Sequence, residues 1–173
     1  SVNDAFVYSD GRVERVRAIR GNRITWAGLN NVGYTRSRNF STPILNWRFG
    51  KGTGRREIVG EANSLWPLAK PKTVRFRAIT YTKQKPTSGV HRAVTLWTCS
   101  SKKPHTTQTP LGPFATIPVI CDRYSATSMR LIERIEWNYS PDLRHYVRRS
   151  SVDYYRGTRT TILLTAALSG PAA

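Results

Sequence analysis

Three histidines, two cysteines and ten acidic residues are what this 173-residue chain could use for chemistry. Their spacing works against most of it. His91, His105 and His145 stand far apart, and Cys99 and Cys121 do not form Cys-x-x-Cys. A structural zinc site needs a compact set of such ligands, so no metal and no cofactor is expected. Glu133 and Glu136 lie three apart, which on a strand puts them on opposite faces. They do not read as a paired acid and base, and Arg130 and Arg134 are their expected neutralising neighbours. Nucleophilic catalysis needs a Ser or Cys, a base and an orienting acid converging in space. Serines are plentiful, but no nucleophile-elbow pattern accompanies them. Gly50 to Gly54 (Gly-Lys-Gly-Thr-Gly) is Gly-rich and basic, yet it lacks the phosphate-loop spacing and no amphipathic helix follows. It reads as a hairpin tip. No catalytic residues are assigned, and the chain reads as a non-enzyme.

Charge is the outlier. Twenty-eight basic residues face ten acidic ones, for a net charge of +18. Most of the basic residues are Arg, whose planar fork suits carboxylate and phosphate partners. The densest cluster is Arg144, Arg148 and Arg149 around His145-Tyr146-Val147, followed by Tyr154, Tyr155, Arg156 and Arg159. Arg15, Arg17 and Arg20 form a second, and Lys70, Lys72, Arg75 and Arg77 a third. A solvated face is the plain reading of each. As a set, they are the candidate contacts with acidic groups on a partner. Trp47-Arg48-Phe49 and Arg75-Phe76-Arg77 interleave aromatics with cations, as a single-strand nucleic-acid binder would. The arginines are nevertheless spread along the whole chain, and no nucleic-acid-binding motif accompanies them.

The elements that must position these residues read as strands. Asp10-Gly11 and Gly21-Asn22 each separate two short apolar runs and favour the positive backbone angles of two-residue hairpins. If both turns are two residues long, Phe6, Tyr8, Val13, Ile19, Ile24 and Trp26 share one face with Arg15 and Arg17. Glu14, Val16 and Ala18 then take the other. Such a face is either a core edged by Arg stems or an exposed binding face. Alternating runs follow near residues 74–78, 93–99, 117–122, 131–139 and 146–154, with a last apolar strand over about 160–168. One short helical turn fits Glu61 to Trp66. The expected architecture is a single antiparallel all-β domain over 1–173. About nine or ten strands would form a sandwich or a curved meander closing toward a half-barrel. The C-terminal Ser-Gly-Pro-Ala-Ala would ordinarily fray unless something holds it.

No run of 18 apolar residues exists, so no helical membrane span is expected. The start at Ser-Val-Asn-Asp is what an exported protein shows once its leader is cut, although a trimmed chain would look the same. Cys99 and Cys121 both fall in strand-like segments. In an oxidising compartment such a pair reads as a disulfide, and in a reducing one as two buried thiols.

Several stretches together resemble uncharacterised exported, periplasmic β-domain proteins of alphaproteobacteria. They are Phe6–Glu14, Asn39-Phe40 through Pro43 to Trp47, Leu65-Trp66-Pro67-Leu68, and Trp97-Thr98-Cys99. Pro110-Leu111-Gly112-Pro113-Phe114 and Tyr139-Ser140-Pro141 before His145–Arg149 complete the set. Leu111 and Pro113 depart from the Pro-Ala-Gly-Thr-Phe of such proteins, and Arg144 stands where a small residue is usual. The resemblance implies an all-β fold and a periplasmic or cell-surface location, which favours the disulfide. It brings no activity.

The leading expectation is an exported accessory subunit that docks through Arg-rich faces onto an acidic protein or envelope assembly. A second is a periplasmic carrier or sensor holding a lipid or anionic glycan in a half-barrel. Its pocket would be lined by Trp26, Trp47, Trp66 or Trp97, with Arg at the mouth. A third is a nucleic-acid-binding or virion structural protein.

Overall fold

The computed structural model describes residues 1–29, 32–38, 43–49, 52–84 and 89–170. Residues 30–31, 39–42, 50–51, 85–88 and 171–173 lie outside the described residues, among them Asn39-Phe40, part of the Gly50 to Gly54 segment and the last three residues of Ser-Gly-Pro-Ala-Ala. Thirteen strands follow in order: β1 Ala5–Tyr8, β2 Val13–Arg20, β3 Arg23–Ala27, β4 Gly33–Ser37, β5 Asn46–Phe49, β6 Gly52–Gly60 and β7 Thr73–Gln84. Then come β8 Val90–Ser101, β9 His105–Thr109, β10 Gly112–Ser125, β11 Leu131–Ser140, β12 His145–Asp153 and β13 Thr158–Leu168. A 3-10 turn at Ala62–Leu65 falls where the helical turn is expected.

Every pairing is antiparallel. β13 pairs with β1, and β10 pairs with both β8 and β11, so the sheet closes on itself. The result is a closed barrel of twelve strands. β9 is an extra strand paired with the Gly112–Thr116 part of β10. The expected sandwich or half-barrel of nine or ten strands is therefore corrected. The unexpected strands are short or poor in apolar residues. β4 and β5 have five and four residues, β6 carries three glycines, and β9 is His-Thr-Thr-Gln-Thr. Apolar alternation cannot register such segments, but barrel closure pairs them and leaves no long free edge.

The first hairpin is also corrected. Val7 pairs with Val13, and the Tyr8 amide donates to the Arg12 carbonyl. Three residues, Ser9 to Gly11, therefore form the loop, with Gly11 at φ 79°. A three-residue loop shifts β2 by one place relative to a two-residue loop, which exchanges its faces. Glu14 and Val16 turn inward, while Arg15 and Arg17 turn outward and are exposed. The second hairpin has the expected two-residue loop, with Arg20 opposite Arg23 and Gly21 at φ 54°.

Phe6, Tyr8, Val16, Trp26, Trp97, Val119, Ile135, Trp137, Ile162 and Leu164 fill the interior. Leu65, fully buried, fixes the 3-10 turn to the core, and the turn packs on β7 and β8. The outer wall carries Arg15, Arg17, Arg55, Arg75, Arg77 and Arg134, all exposed. A bilayer-spanning barrel has the opposite pattern, since each Arg near the bilayer midplane costs about 2–4 kcal/mol. No helix among the described residues is long and apolar enough to cross a membrane. β1, β3, β5, β7, β10 and β12 all finish at one end of the barrel, here the upper end. β1 begins and β13 finishes at the lower end, where Gly170 donates its amide to Asp4.

Candidate binding site in the barrel lumen

Alternation that points apolar residues inward also carries charge into the lumen. Arg36 follows Tyr34 by two places, Arg56 follows Gly54, Arg123 follows Cys121 and Arg149 follows Val147. Four guanidinium groups thus share the interior with two carboxylates, Glu14 and Glu133. Arg123 pairs with Glu133 at 3.2 Å and lies over the Trp97 ring. Arg56 donates to the Thr80 hydroxyl and the Ile44 carbonyl, both at 2.9 Å, and stacks on Trp47. Neither Arg56 nor Arg149 forms an ion pair among the described residues. Burial pulls Arg56 down to about 10, and the positive charges of Arg123 and Arg36 push the same way. Arg149 is also pulled down by burial, with Arg36 and Arg12 adding repulsion against the favourable fields of Tyr146 and Glu133.

Glu14 is the counterweight. It is 4% exposed and accepts from the Tyr146 hydroxyl at 3.0 Å and from His145 Nε2 at 3.2 Å. Burial alone would raise its pKa, but hydrogen bonds from His145 and Tyr34 and the charge of Arg36 hold it at about 2. His145 is itself buried, between Phe6 and Trp26, and burial lowers its pKa. At neutral pH it is therefore a neutral imidazole donating Nε2–H, and the Glu14 charge rests on hydrogen bonds and Arg36. Burial, reinforced by the Glu14 charge, raises the Tyr8, Tyr34 and Tyr146 hydroxyls above the usual tyrosine range. They stay protonated.

A cavity of about 450 Å³ opens above this network toward the upper end. Arg12, Glu14, Tyr34, Arg36 and Arg149 supply its polar lining. Val13, Leu29, Val32, Ile44 and Phe49 supply the apolar part. A second hollow of about 540 Å³ at the lower end is bounded by Trp26, Trp66, Tyr139 and His145, among others. Glu14 thus floors the upper cavity and His145 borders the lower one.

The predicted site residues distribute as follows. Arg144, Arg15, Arg17, Arg20, Lys72, Arg75 and Arg77 are exposed on the outside. β2 and β7 stand five places apart in the ring of twelve, so these residues do not gather on one face. A bulge near Tyr146 buries His145, Tyr146 and Val147 together and splits the 144–149 cluster. Arg148 stays on the outer wall and Arg149 turns into the lumen. Cys99 and Cys121 are directly opposed on β8 and β10 and form the disulfide, fully inside the barrel. Arg134 pairs with Asp122 through two hydrogen bonds rather than neutralising a glutamate. The tryptophans do not line the upper cavity. Trp97 stacks on Phe76, Trp66 meets Tyr139 edge-on and Trp47 carries Arg56. Among the described residues no group of His, Cys, Asp and Glu is arranged to hold a metal ion.

No family model matches this chain, and no curated protein matches its sequence. Solved structures do. The hypothetical lipoprotein YmcC of Escherichia coli K12 superposes with a TM-score of 0.62 at 9% identity, over 98% of this chain and 84% of that one. The chain shares the fold of YmcC. BF2203 of Bacteroides fragilis, described as having a YmcC-like fold, gives a TM-score of 0.48 at 12% identity, covering 98% of this chain and 97% of its own. A protein of Parabacteroides distasonis gives 0.38 at 12% identity, with 97% and 96% covered.

Proposed function

We propose that this is an exported, non-enzymatic binding protein. Its barrel lumen takes the acidic head group of a ligand with an apolar body, entering between Arg12, Leu29 and Phe49. The observation that carries this reading is the excess of half-buried cations in the lumen. Among the described residues four arginines face two glutamates there, and Arg149, beside the cavity, has no ion pair. A partly desolvated cation without a counter-ion is costly, and an anion in the cavity relieves it. The volume falls in the range of small-molecule sites, and the apolar mouth suits an aliphatic or aromatic body. The buried disulfide and the likeness to a protein described as a lipoprotein support export. This develops the carrier expectation in place of docking through Arg-rich faces, whose arginines the barrel disperses.

The test uses a dansyl-labelled fatty acid, with lysophosphatidic acid and a neutral monoacylglycerol as competitors. The two acids should displace the probe and the neutral lipid should not. Arg149→Gln should weaken binding about 10- to 100-fold, while Arg75→Gln on the outer wall leaves it unchanged. Equal competition by the neutral lipid, or no binding of either acid, overturns the reading.

A further inference from the structure

The upper rim has a composition of its own. Of the ten large apolar or aromatic side chains that stand exposed among the described residues, six lie at this end: Leu29, Phe49, Val90, Met129, Tyr154 and Tyr155. Leu29 follows β3, Phe49 ends β5, Val90 begins β8, Met129 follows β10 and Tyr154-Tyr155 follow β12, so they ring the opening instead of forming a stripe. Tyr155 is 91% exposed and Met129 63%. Side chains of this kind are normally scattered singly over a surface. Concentration on successive hairpins at one end marks a contact surface. Tyrosines set beside aliphatic tips are the composition that sits at a lipid–water boundary.

Charge says which kind of surface it meets. Among the described residues the exposed cations at or near the same end are Arg12, Arg48, Lys83, Arg92, Arg130, Arg134, Arg156 and Arg159. The carboxylates at the same levels of the outer surface are Asp10, held by Arg12 at 3.2 Å, Asp122, held by Arg134, and the half-buried Asp153, which accepts the Tyr155 and Arg156 amides. The cations on the rim therefore outnumber the anions, and the anions are internally engaged. An acidic protein would satisfy the charge, but it would face apolar tips spaced around a ring with a hole at its centre. A fluid anionic bilayer accommodates both features: the tips enter the interfacial region while the arginines lie among the head groups.

We propose that the upper rim docks on the surface of an anionic phospholipid bilayer. Leu29, Phe49, Val90, Met129, Tyr154 and Tyr155 enter the interface, with the barrel axis steeply inclined to the membrane. The proposal stands on different residues from the lumen reading and holds whether or not the cavity takes a ligand. Were both true, the cavity mouth, which shares Leu29 and Phe49 with the rim, would open onto the bilayer.

A chain of net charge +18 is attracted to any anionic surface, so the experiment must separate rim from wall. Partition is measured by co-sedimentation with vesicles of phosphatidylcholine alone and of phosphatidylcholine with phosphatidylglycerol. Two variants of equal charge are compared, Arg130→Gln/Arg156→Gln on the rim and Arg75→Gln/Arg77→Gln on the wall. Each rim cation removed should weaken partition about fivefold, and the wall variant should weaken it far less. Met129→Ser/Tyr155→Ser, which leaves the charge unchanged, should also weaken it. A nitrobenzoxadiazole dye coupled to the thiol that Met129→Cys introduces should shift to the blue on vesicles containing phosphatidylglycerol. The same dye carried by Val2→Cys should not. Equal losses in rim and wall variants, or a dye at position 129 that stays in water, overturn the proposal. So does a dimer held by the rim, seen by sedimentation and dissolved by Met129→Ser/Tyr155→Ser. Unaltered fatty-acid binding in the rim variants would show the two readings to be separable.

Discussion

Replacing Glu14 by Gln removes the negative charge at the centre of the lumen while keeping its shape. A carboxylate held at about 2, against an ordinary value of 4.5, contributes about 3 kcal/mol to folding at neutral pH. The sign follows from the depressed pKa. Between pH 4.5 and about 2 the unfolded chain binds a proton that the folded chain refuses. The contribution is therefore complete above 4.5 and is lost as pH falls toward 2. His145 acts in the same direction higher up. Its pKa is lowered by burial, so below about 6.5 the unfolded chain takes a proton that the buried imidazole resists. The native protein should thus lose stability on acidification in two stages, and E14Q should lack the lower one. Urea unfolding followed by tryptophan fluorescence from about pH 7 to about pH 3 reads both effects. With a slope of about 2 kcal/mol per molar, about 3 kcal/mol moves the midpoint by about 1.5 M at neutral pH. An E14Q midpoint equal to that of the native protein at neutral pH, or a native midpoint that stays constant through the acid range, would refute the account of this network.

Two further outcomes test the frame around the lumen. Cys99→Ala/Cys121→Ala should lower stability by about 3 kcal/mol in urea unfolding under oxidising conditions, because the disulfide links residues 22 apart; under reducing conditions the difference from the native chain should shrink strongly. Gly54→Ala would place a Cβ 2.1 Å from the Trp47 ring. The indole must move off β6 and away from Arg56, at a cost of about 1–3 kcal/mol, visible as a red shift in tryptophan emission.

The β class, the second hairpin and the 3-10 turn were legible because each has a local signature, whereas the Cys99–Cys121 bond was favoured only through the expected export. Alternation over the 131–139 run predicts Leu131, Glu133, Ile135, Trp137 and Tyr139 on one face. Glu133, Ile135, Trp137 and Tyr139 do share the inner one, while the register slips next to Leu131. Closure was not legible. It depends on β13 meeting β1 across nearly the whole chain, and on β4, β5, β6 and β9, whose Gly, Thr and Ser carry no apolar period. The lumen charges were misplaced by one residue of register. A two-residue loop at Asp10-Gly11 sends Arg15 and Arg17 inward, whereas the three-residue loop sends Glu14. Parity could have found part of the site: once Cys121 faces inward, Arg123 must as well. Arg149 could not be found that way, because the bulge near Tyr146 breaks the count.

A barrel built only for stability would fill its lumen with apolar side chains. Replacing buried ion pairs by well-packed hydrophobes is often neutral or stabilising. This chain instead spends inward positions of β4, β6, β10 and β12 on arginine and supplies too few carboxylates to match. The rest of the interior shows that the fold can do otherwise, since Val16, Trp26, Val119 and Trp137 pack in one apolar core with the fully buried Leu65. Arg36 and Arg149 line the cavity beneath the rim that carries Leu29 and Phe49, while Arg56 is held by Thr80 and Ile44 and Arg123 by Glu133. Such a distribution costs the empty protein stability and returns it when an anion enters. Ligand binding and thermal stability should therefore rise together, and more steeply for the native chain than for one lacking Arg149.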